Sequence, residues 1–461
     1  MVKNKKKIIG TLAPIFSLTS NHQSPQDQGT FETGTYFLDW LKKTNQHAWQ
    51  ILPFNETQLE KGSATKHVPS PYKGYGIGLS PRYLSSKFAS LKPDIQTKNT
   101  FIAQHKEWLE DYALFCSIRD AYGTDDWREW DERLSRREKA ALKEWAVKYK
   151  TQINYYIVQQ WQLNESYSEL HEKAKSLDIA LIGDIPYYLS VQSPLVWANQ
   201  KAFQLNKDGS MSHVSGIPDT AGTVFGRQLW GHPLYNWENK ELVIDLWKMR
   251  LRYQALLFDD VRFDHAKAFF SYGVMVPENK AEDRYHEGPG KEVMRTFVEY
   301  AKSKGLIIFA EDSGDKIKEL RDNMREIGVP GIRIYSFAFK PKEHIVNHNY
   351  AVVSEYAAES VAYTTTHDTL TLMGYLQALD PDHKKMLSEV TGITYHSEDR
   401  ELALTIRNAV IRSPSQMVII PIQDWLLTTD RINTPGTEKE INDENWHYKV
   451  SLPVEELPVN V

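Results

Sequence analysis

The sequence predicts an α/β fold, and three observations favour a (β/α)8 barrel with a helical insertion and long loop insertions at its C-terminal face. Short apolar runs alternate with helical segments, which predicts parallel strands. Eight such runs begin at positions 7, 47, 179, 258, 306, 332, 361 and 417. Several runs end in acids, which a closed barrel would collect at one mouth. An open doubly wound sheet is the alternative, because a count of runs can be wrong by about one or two elements.

The chain opens with the order strand, helix, strand. Residues 7–18 and 47–54 are apolar and β-rich, and residues 36–43 have helical periodicity. The basic and then apolar start resembles a signal peptide, but Pro14 interrupts the apolar part and no clear cleavage site follows. We therefore interpret this start as the first strand.

Two long segments separate the second run from the third. Residues 55–92 are polar and rich in Gly, Pro and Tyr, and they include SPYKGYGIGLSP at 70–81. They are too long for a simple connection, so we interpret them as a loop of the functional site. Residues 93–177 have helical periodicity and predict a helical insertion subdomain. We expect residues 1–461 to form a single catalytic barrel domain that includes it.

In the second half of the chain, strand-like runs end in carboxylates. They are ALIGD ending at Asp184, VRFD at Asp264, LIIFAED at Glu311 and Asp312, VAYTTTHD at Asp368, and VIIPIQD at Asp424. Helical segments are predicted over 239–258, 290–304 and 315–327. Parallel strands point their C-terminal ends in one direction, so these acids should converge at one face of the barrel.

Composition excludes several classes of partner. The chain has 55 Lys and Arg against 60 Asp and Glu, a net charge of -5 with a pI near 6.3, so no basic field favours nucleic acid or an anionic membrane. No apolar run approaches the roughly 20 residues that a membrane span needs. Cys116 is the single cysteine. It rules out an internal disulfide and a multi-thiolate metal site, and we expect a reducing, cytoplasmic location.

The stretch FDDVRFDHAKAFF at 258–270 contains the most informative charges. Asp264 stands at a predicted strand end, Arg262 lies two residues earlier on the same face, and His265 follows. The arginine should favour the ionised form of Asp264. The alternative is a surface ion pair on an edge strand, which would contribute little.

Acids crowded at a barrel mouth either bind a divalent cation or act on a glycoside. Arg262 and His265 flank Asp264, and His367 precedes Asp368, which disfavours a metal and suits sugar hydroxyls. Aromatic residues make up 12% of the chain, and several stand in polar, loop-like settings where rings could stack on sugars. These are Tyr72, Tyr75, Tyr187, Tyr188, Trp230, Trp237 and Trp446. Any single ring is more often part of the core.

Ordered motifs along the chain resemble the 4-α-glucanotransferase family, the amylomaltases and plant disproportionating enzymes of the α-amylase clan. They include SPY at 70–72, GDIPYYLSVQSPLVWA, VSGIP, RQLWGHPLYNW, VRFDH, AEDSG, RDNMREIGVPGIRIYSFAF, THD at 366–368, IPIQDWL, and NTPGT at 433–437. The resemblance covers nearly the whole chain. Several motifs in matching order are more specific than any one of them.

The resemblance implies a role for each acid. Asp264 would be the nucleophile, Glu311 the general acid and base, and Asp368 the carboxylate that holds the hydroxyls of the reacting sugar. Neighbouring negative charge and burial should raise the pKa of Glu311, as a proton donor requires. Residues implied to bind substrate are Tyr72, Asp184, Trp230, Arg262, His265 and His367.

The resemblance also implies the reaction. An α-1,4-glucan segment would pass from a donor maltodextrin to the 4-hydroxyl of an acceptor glucan, glucose or maltose. The mechanism would retain configuration, with the Asp264 and Glu311 carboxyls about 5 to 5.5 Å apart. No metal and no organic cofactor would be needed.

Departures from the family pattern cluster beside the catalytic acids. The pattern Asp-His-Phe-Arg-Gly-Phe becomes Asp264-His265-Ala266-Lys267-Ala268-Phe269, Thr369 replaces Asn, Ser313 replaces Leu, and the late Asn-Trp-x-Trp-Arg becomes NWHYK. The loop before RQLWG, DTAGTVFG, also differs. Because lysine is a mobile point charge where arginine is a rigid fork, we expect looser positioning and lower activity.

Three other functions fit parts of the sequence. A hydrolase of the same clan would share the covalent intermediate and differ in how well its groove excludes water. A weakly active or non-catalytic glycan-binding relative would explain the altered residues, although such a protein has no use for the retained acids. A metal-dependent barrel lyase is disfavoured by Arg262 and His265.

Overall fold

Eight parallel strands form a closed barrel in the computed structural model, which describes residues 7–219, 226–313, 317–340, 345–437 and 445–460. The strands are β1 (Ile8–Leu12), β2 (Ala48–Gln50), β3 (Ala180–Ile185), β4 (Asp260–Phe263), β5 (Ile307–Ala310), β6 (Gly331–Ile334), β7 (Ser360–Tyr363) and β8 (Met417–Pro421). Each coincides with one of the eight predicted runs. The altered loop before RQLWG falls on residues 220–225, outside the described residues.

Pairing between the first and last strands closes the barrel. Ile8 pairs with Met417 and Gly10 with Ile419 in parallel register, and the other neighbours follow chain order from β1 to β8. The predicted barrel is therefore confirmed, and the open-sheet alternative is wrong. All eight strands are parallel, so their C-terminal ends share one mouth.

The long helices confirm the predicted alternation. They are α1 (Phe31–Lys43), α2 (Ile95–Gln104), α3 (Leu109–Tyr122), α4 (Lys139–Lys148), α5 (Lys150–Ser176), α6 (Lys240–Leu257), α7 (Lys291–Ser303), α8 (Ile317–Ile327), α9 (Pro381–Thr391) and α10 (Asp399–Arg412). Helix α1 begins before the predicted 36–43. Its first turn contains Thr33, Gly34 and Thr35, which are weak helix formers, and a capping box between Thr30 and Thr33 starts the helix instead.

Helices α2 to α5 lie within the segment 93–177. One apolar stripe of α5 is buried, and its residues are Tyr156, Leu163, Tyr167, Leu170 and Ala174. Cys116 on α3 is fully buried, and burial raises the pKa of its thiol well above the usual range, which makes it unreactive. In the described part of the chain, no helix is both long and apolar enough to cross a membrane.

The segment 55–92 forms a hairpin anchored to α3. Strands Asn55–Thr57 and Gly74–Leu79 pair in antiparallel fashion, and the turn Pro71–Lys73 between them carries Tyr72. Buried Glu56 accepts a hydrogen bond of 2.6 Å from Nη1 of buried Arg119 and a second bond from the Tyr112 hydroxyl. This ion pair fixes the hairpin, and with it the turn of Tyr72, on the helical segment.

We expect Glu56→Ala to lower the free energy of unfolding by about 3 kcal/mol, because it leaves the Arg119 charge buried without its main partner. Urea denaturation followed by circular dichroism measures the change. Glu169→Ala is the matched control, because its partner Lys87 is half exposed and the pair should contribute about 0.5 kcal/mol or less. Equal losses in the two variants would contradict this account of the anchor.

Candidate active site

The mouth of the barrel collects acids from four strands. Asp184 lies near the end of β3, Asp264 directly after β4, Glu311 directly after β5, and Asp368 in the turn after β7. The parallel topology brings these residues together, because each lies at the C-terminal end of its strand or in the segment that follows it.

One guanidinium joins three of these acids. Nη1 of Arg262 lies 2.7 Å from Asp184 Oδ2 and 2.9 Å from Asp264 Oδ1, while Nη2 donates to Glu311 Oε2 at 2.7 Å. Arg262 sits on β4 between β3 and β5, so its fork reaches the acids of all three strands. The predicted pairing of Arg262 with Asp264 is present. Arg262 is buried and its strand lies between two others, so the alternative of a surface ion pair on an edge strand is wrong.

Exposure divides the charged residues into two groups. The side chains of Asp264, Glu311 and Asp368 are 22%, 24% and 40% exposed. Those of Arg262 and Asp184 are 8% and 0% exposed. Three carboxylates therefore face the open mouth, and the buried pair lies beneath them.

The pKa order of the two central acids is opposite to the expected one. Burial raises the pKa of Asp264 well above its ordinary value, and although Arg262 opposes this, the negative charges of Glu311, Asp184 and Asp368 add to it. Burial also acts to raise the pKa of Glu311, but Arg262, the Ser313 hydroxyl and the His265 backbone together lower it. The expectation that the pKa of Glu311 is raised is therefore wrong for the free site. One guanidinium cannot neutralise four carboxylates, and Asp264 is the one that retains a proton more readily.

His265 closes one side of the acid pair. Its backbone adopts the left-handed region at φ 47°, which aims its N–H at Glu311 Oε2, 3.2 Å away. Its ring packs edge-on against half-buried Trp230, with 4.7 Å between the ring centres. Burial lowers the pKa of His265 to about 4, so the imidazole is neutral at pH 7.

The opposite side is a second polar cluster around Tyr72. The Tyr72 hydroxyl donates to Asp184 Oδ2 at 2.9 Å and lies 2.9 Å from Nε2 of His367. The same nitrogen is 3.1 Å from Asp368 Oδ2, and the Tyr72 and His367 rings stack. Tyr72, carried by the segment 55–92, thus links the buried Asp184 to the exposed Asp368.

Residues near the C-terminus complete the site. Asn433 and Arg431 were not predicted to lie here, whereas Trp446 was among the rings predicted to stack on sugars. Asn433 Nδ2 donates to Asp368 Oδ1 at 2.6 Å, and Arg431 Nη2 donates to the Asp368 backbone oxygen. Trp446 packs against the rings of Tyr72 and His367. Burial opposes ionisation of Asp368, but His367, Asn433 and Arg262 outweigh it and lower its pKa to about 2. The NTPGT motif was the available signal for Asn433.

Two of the acids expected at the mouth belong to the framework. Asp312 is buried and accepts from Arg321 Nε, Arg333 Nη1 and the backbone N–H of Ile332. Asp424 is buried and accepts from Thr364, Thr365 and the backbone N–H of Leu372. Each carboxylate joins a strand end to a neighbouring element, and the oxygens of both carboxylates are used in these hydrogen bonds. The expectation that they face the mouth is wrong.

Several rings expected near sugar belong to the core. Tyr75, Tyr187 and Tyr188 are buried, and Tyr75 donates to buried Asp125. Within the described ranges, no group of three or more His, Cys, Asp or Glu has the geometry of a metal site. Arg262 occupies the position between the carboxylates that a cation would take.

Comparison with known proteins connects this site to an activity. A family profile described as 4-alpha-glucanotransferase matches residues 78–454. The chain belongs to the 4-alpha-glucanotransferase family. The activity of this family is the transfer of α-1,4-glucan segments, and the family belongs to the α-amylase clan.

Individual members of the family align over most of their length. The chain is 31% identical to the 4-alpha-glucanotransferase of Aquifex aeolicus, over 95% of each sequence. It is 32% identical to the chloroplastic/amyloplastic enzyme of Solanum tuberosum, over 90% of this chain and 77% of that one. A solved structure, the amylomaltase of Streptococcus agalactiae in complex with acarbose, superposes with a TM-score of 0.82 at 25% identity, covering 96% of this chain and 95% of that one.

The residues that depart from the family pattern are packed into this site. Ala266 and Ala268 are fully buried, and Lys267 places its ammonium 4.5 Å from the centre of the Tyr285 ring, a cation–π contact. Thr369 accepts from the backbone N–H of Thr366 at 2.9 Å and so closes the turn that carries Asp368. Because both alanines have no exposed area, a larger side chain at either position would have to be accommodated inside the core, and the expected looser positioning and lower activity stay predictions.

We expect Ala266→Phe to destabilise the protein by about 1 to 3 kcal/mol, because a ring must be accommodated at a fully buried position. Thermal or urea unfolding measures this, and Lys267→Arg, which keeps the charge over Tyr285, is the control with little change. An Ala266→Phe variant as stable as the parent protein would contradict this. The triple variant Ala266→Phe, Lys267→Arg and Ala268→Gly, which restores the family pattern, should by the expectation of lower activity raise kcat on maltotriose.

Proposed function

We propose that this 4-alpha-glucanotransferase works by a retaining double displacement in which Asp264 is the nucleophile, Glu311 the general acid and base, and Asp368 the residue that holds the reacting sugar. The observation that carries the proposal is the single guanidinium that bridges Asp264 and Glu311. Both carboxyls are thereby held side by side and partly exposed, which suits the short separation of about 5 to 5.5 Å in retaining enzymes.

In the first step, a carboxylate oxygen of Asp264 attacks the anomeric carbon of the donor glucan. The bond from that carbon to the bridging 4-oxygen breaks, and the oxygen leaves with the electron pair and the proton of Glu311. In the second step, ionised Glu311 removes the proton from the 4-hydroxyl of an acceptor. That oxygen attacks the anomeric carbon and releases Asp264.

Arg262 controls which acid is charged. In the free site the proton resides more readily on Asp264, whereas the first step needs ionised Asp264 and protonated Glu311. Arg262 contacts both, so a shift of its guanidinium towards Asp264 when glycan binds would stabilise the nucleophile and release Glu311 to hold the proton.

The remaining residues bind and orient the sugar. Asp368, with its pKa of about 2, is ionised at every working pH and accepts from sugar hydroxyls. Tyr72, His367 and His265 border the reacting ring, and Trp230 forms a wall on the opposite side from Tyr72. Asp184, which has no exposed side-chain area, contributes through Arg262 and Tyr72.

Membership of the family supports our choice of substrates. Maltodextrins act as donors, and glucose, maltose or a longer glucan accepts the transferred segment. We assign the whole chain, 1–461, to one catalytic domain with 93–177 as a helical subdomain. The buried, reduced Cys116 is consistent with a cytoplasmic location.

Incubation with maltotriose tests this function. We expect glucose and chains longer than three units, with no effect of a chelator. Glucose and maltose alone would support the hydrolase, no products would support a glycan-binding protein, and loss of activity to the chelator would support a metal-dependent lyase. Each of these three results would overturn the proposal.

We expect Asp264→Asn to abolish turnover while maltodextrin binding is kept, because the amide cannot attack the anomeric carbon but still fills the place beside Arg262. Product analysis on maltotriose and calorimetric binding measure the two properties. More than a few per cent of the parent activity, with deamidation ruled out by mass spectrometry, would remove Asp264 from the nucleophile role.

Glu311→Gln should lose about 10² to 10⁴ in rate on maltotriose, because the leaving oxygen then departs unprotonated. A glycosyl fluoride donor needs little protonation, so the variant should still form the covalent intermediate and accumulate it on Asp264. Mass spectrometry of the intact protein measures that intermediate. Equal losses on both donors would contradict the role of Glu311.

A further inference from the structure

Glu311 holds its two carboxyl oxygens in different surroundings. Oε2 accepts from Arg262 Nη2 at 2.7 Å and from the backbone N–H of His265 at 3.2 Å. Oε1 accepts from the hydroxyl of Ser313 at 2.6 Å, and no other hydrogen bond to Oε1 is present among the described residues. Ser313 stands where the related sequences that this chain resembles have leucine, which cannot form this bond.

We propose that Ser313 is a positioning residue for Glu311: its hydroxyl fixes the rotation of the carboxyl group and sets the pH above which the general acid is lost. The inference rests on the proposed function, since it takes Glu311 as the general acid. Ser313 itself needs no contact with substrate, because it acts through Oε1 of Glu311.

The chemistry of the two oxygens supports this role. Oε2 is occupied by a cation and a backbone N–H, neither of which can accept a hydrogen bond, so a proton on Glu311 belongs on Oε1. A serine hydroxyl can donate to Oε1 when the carboxyl is ionised, and it can rotate to accept when the carboxyl is protonated. Ser313 therefore holds Oε1 in one orientation whether the Glu311 carboxyl is ionised or protonated. A residue that first donates a proton and then removes one needs this fixed orientation.

The bond also favours one protonation state. A hydroxyl that donates to a carboxylate stabilises the ionised form, and burial of Glu311 opposes this. The other charged or titratable groups that face Glu311 are Arg262, Asp264 and His265, with Tyr363 on β7 and, through Arg262 and His265, Asp184 and Lys267. Removal of the Ser313 hydroxyl leaves all of these in place, so the change in titration reports that hydroxyl.

The sign of the effect is fixed. Loss of the donor raises the pKa of Glu311. In the glycan complex, where the proposed shift of Arg262 towards Asp264 leaves the proton on Glu311, the acid then stays protonated to higher pH, so the basic limb of kcat on maltotriose moves upward. For Ser313→Ala we expect a shift of about one pH unit, the size of a hydrogen bond to a charged group. The free carboxyl also rotates, so kcat at the optimum should fall several-fold while KM changes little.

The test is the pH profile of kcat on maltotriose for the parent protein, Ser313→Ala, and the isosteric pair Ser313→Thr and Ser313→Val. Threonine keeps the hydroxyl and should restore the parent profile, whereas valine should behave like alanine. Ser303→Ala is the control, because its hydroxyl donates to the Tyr300 backbone oxygen on an exposed end of α7, away from Glu311. With a glycosyl fluoride donor, kcat/KM should show no basic limb in any variant.

An unchanged basic limb in Ser313→Ala and in Ser313→Val would overturn the inference, as would a downward shift or a valine variant that matches threonine. These outcomes leave the role of Glu311 intact. If Glu311→Gln instead keeps the basic limb on maltotriose, the proposed function fails at the general acid, and the two failures are distinguishable.

Discussion

The buried guanidinium of Arg262 lies between three carboxylates, and the active site depends on this contact. A single positive charge holds Asp184 beneath the mouth and Asp264 and Glu311 at its surface. Without it, the acids would repel one another in a region poorly accessible to water, and they would protonate or move apart. With Arg262 in place, the carboxyls of Asp264 and Glu311 stay adjacent. The excess of negative charge around them helps to raise the pKa of Asp264, which is therefore the member of the pair that retains a proton more readily.

The barrel supplies the geometry that this contact needs. Strand β4 carries Arg262 and lies between β3 and β5. Asp184 pairs with Arg262 in register, whereas Glu311 lies two residues beyond Phe309, the partner of Arg262 on β5. Asp312 and Asp424 join strand ends to their neighbours from inside the framework and so support the mouth without entering it. The hairpin of residues 55–79, anchored through Glu56 and Arg119, and the C-terminal Asn433 then place Tyr72 and Asp368 around the acids.

Sequence patterns predicted the eight strands, the helices and the meeting of Asp184, Asp264, Glu311 and Asp368, because alternation and parallel topology fix which residues end a strand. They could not separate Asp312 and Asp424 from the site, since side-chain direction at a strand end depends on the neighbouring arginines and threonines. Sequence patterns also could not predict that the pKa of Asp264 is raised and that of Glu311 is lowered. That order depends on which carboxylate oxygens lie against the Arg262 guanidinium, the Ser313 hydroxyl and the His265 backbone N–H. These distances cannot be obtained from the sequence.

The most direct test of this account is the titration of Asp264 and Glu311 in the free protein, by ¹³C NMR of labelled carboxyl groups assigned with Asp264→Asn and Glu311→Gln. If Arg262 and its neighbours distribute charge as described, Asp264 takes up its proton at a higher pH than Glu311, and above the ordinary range of an aspartate near about 4. Protonation of Glu311 at the higher pH of the two would contradict the account.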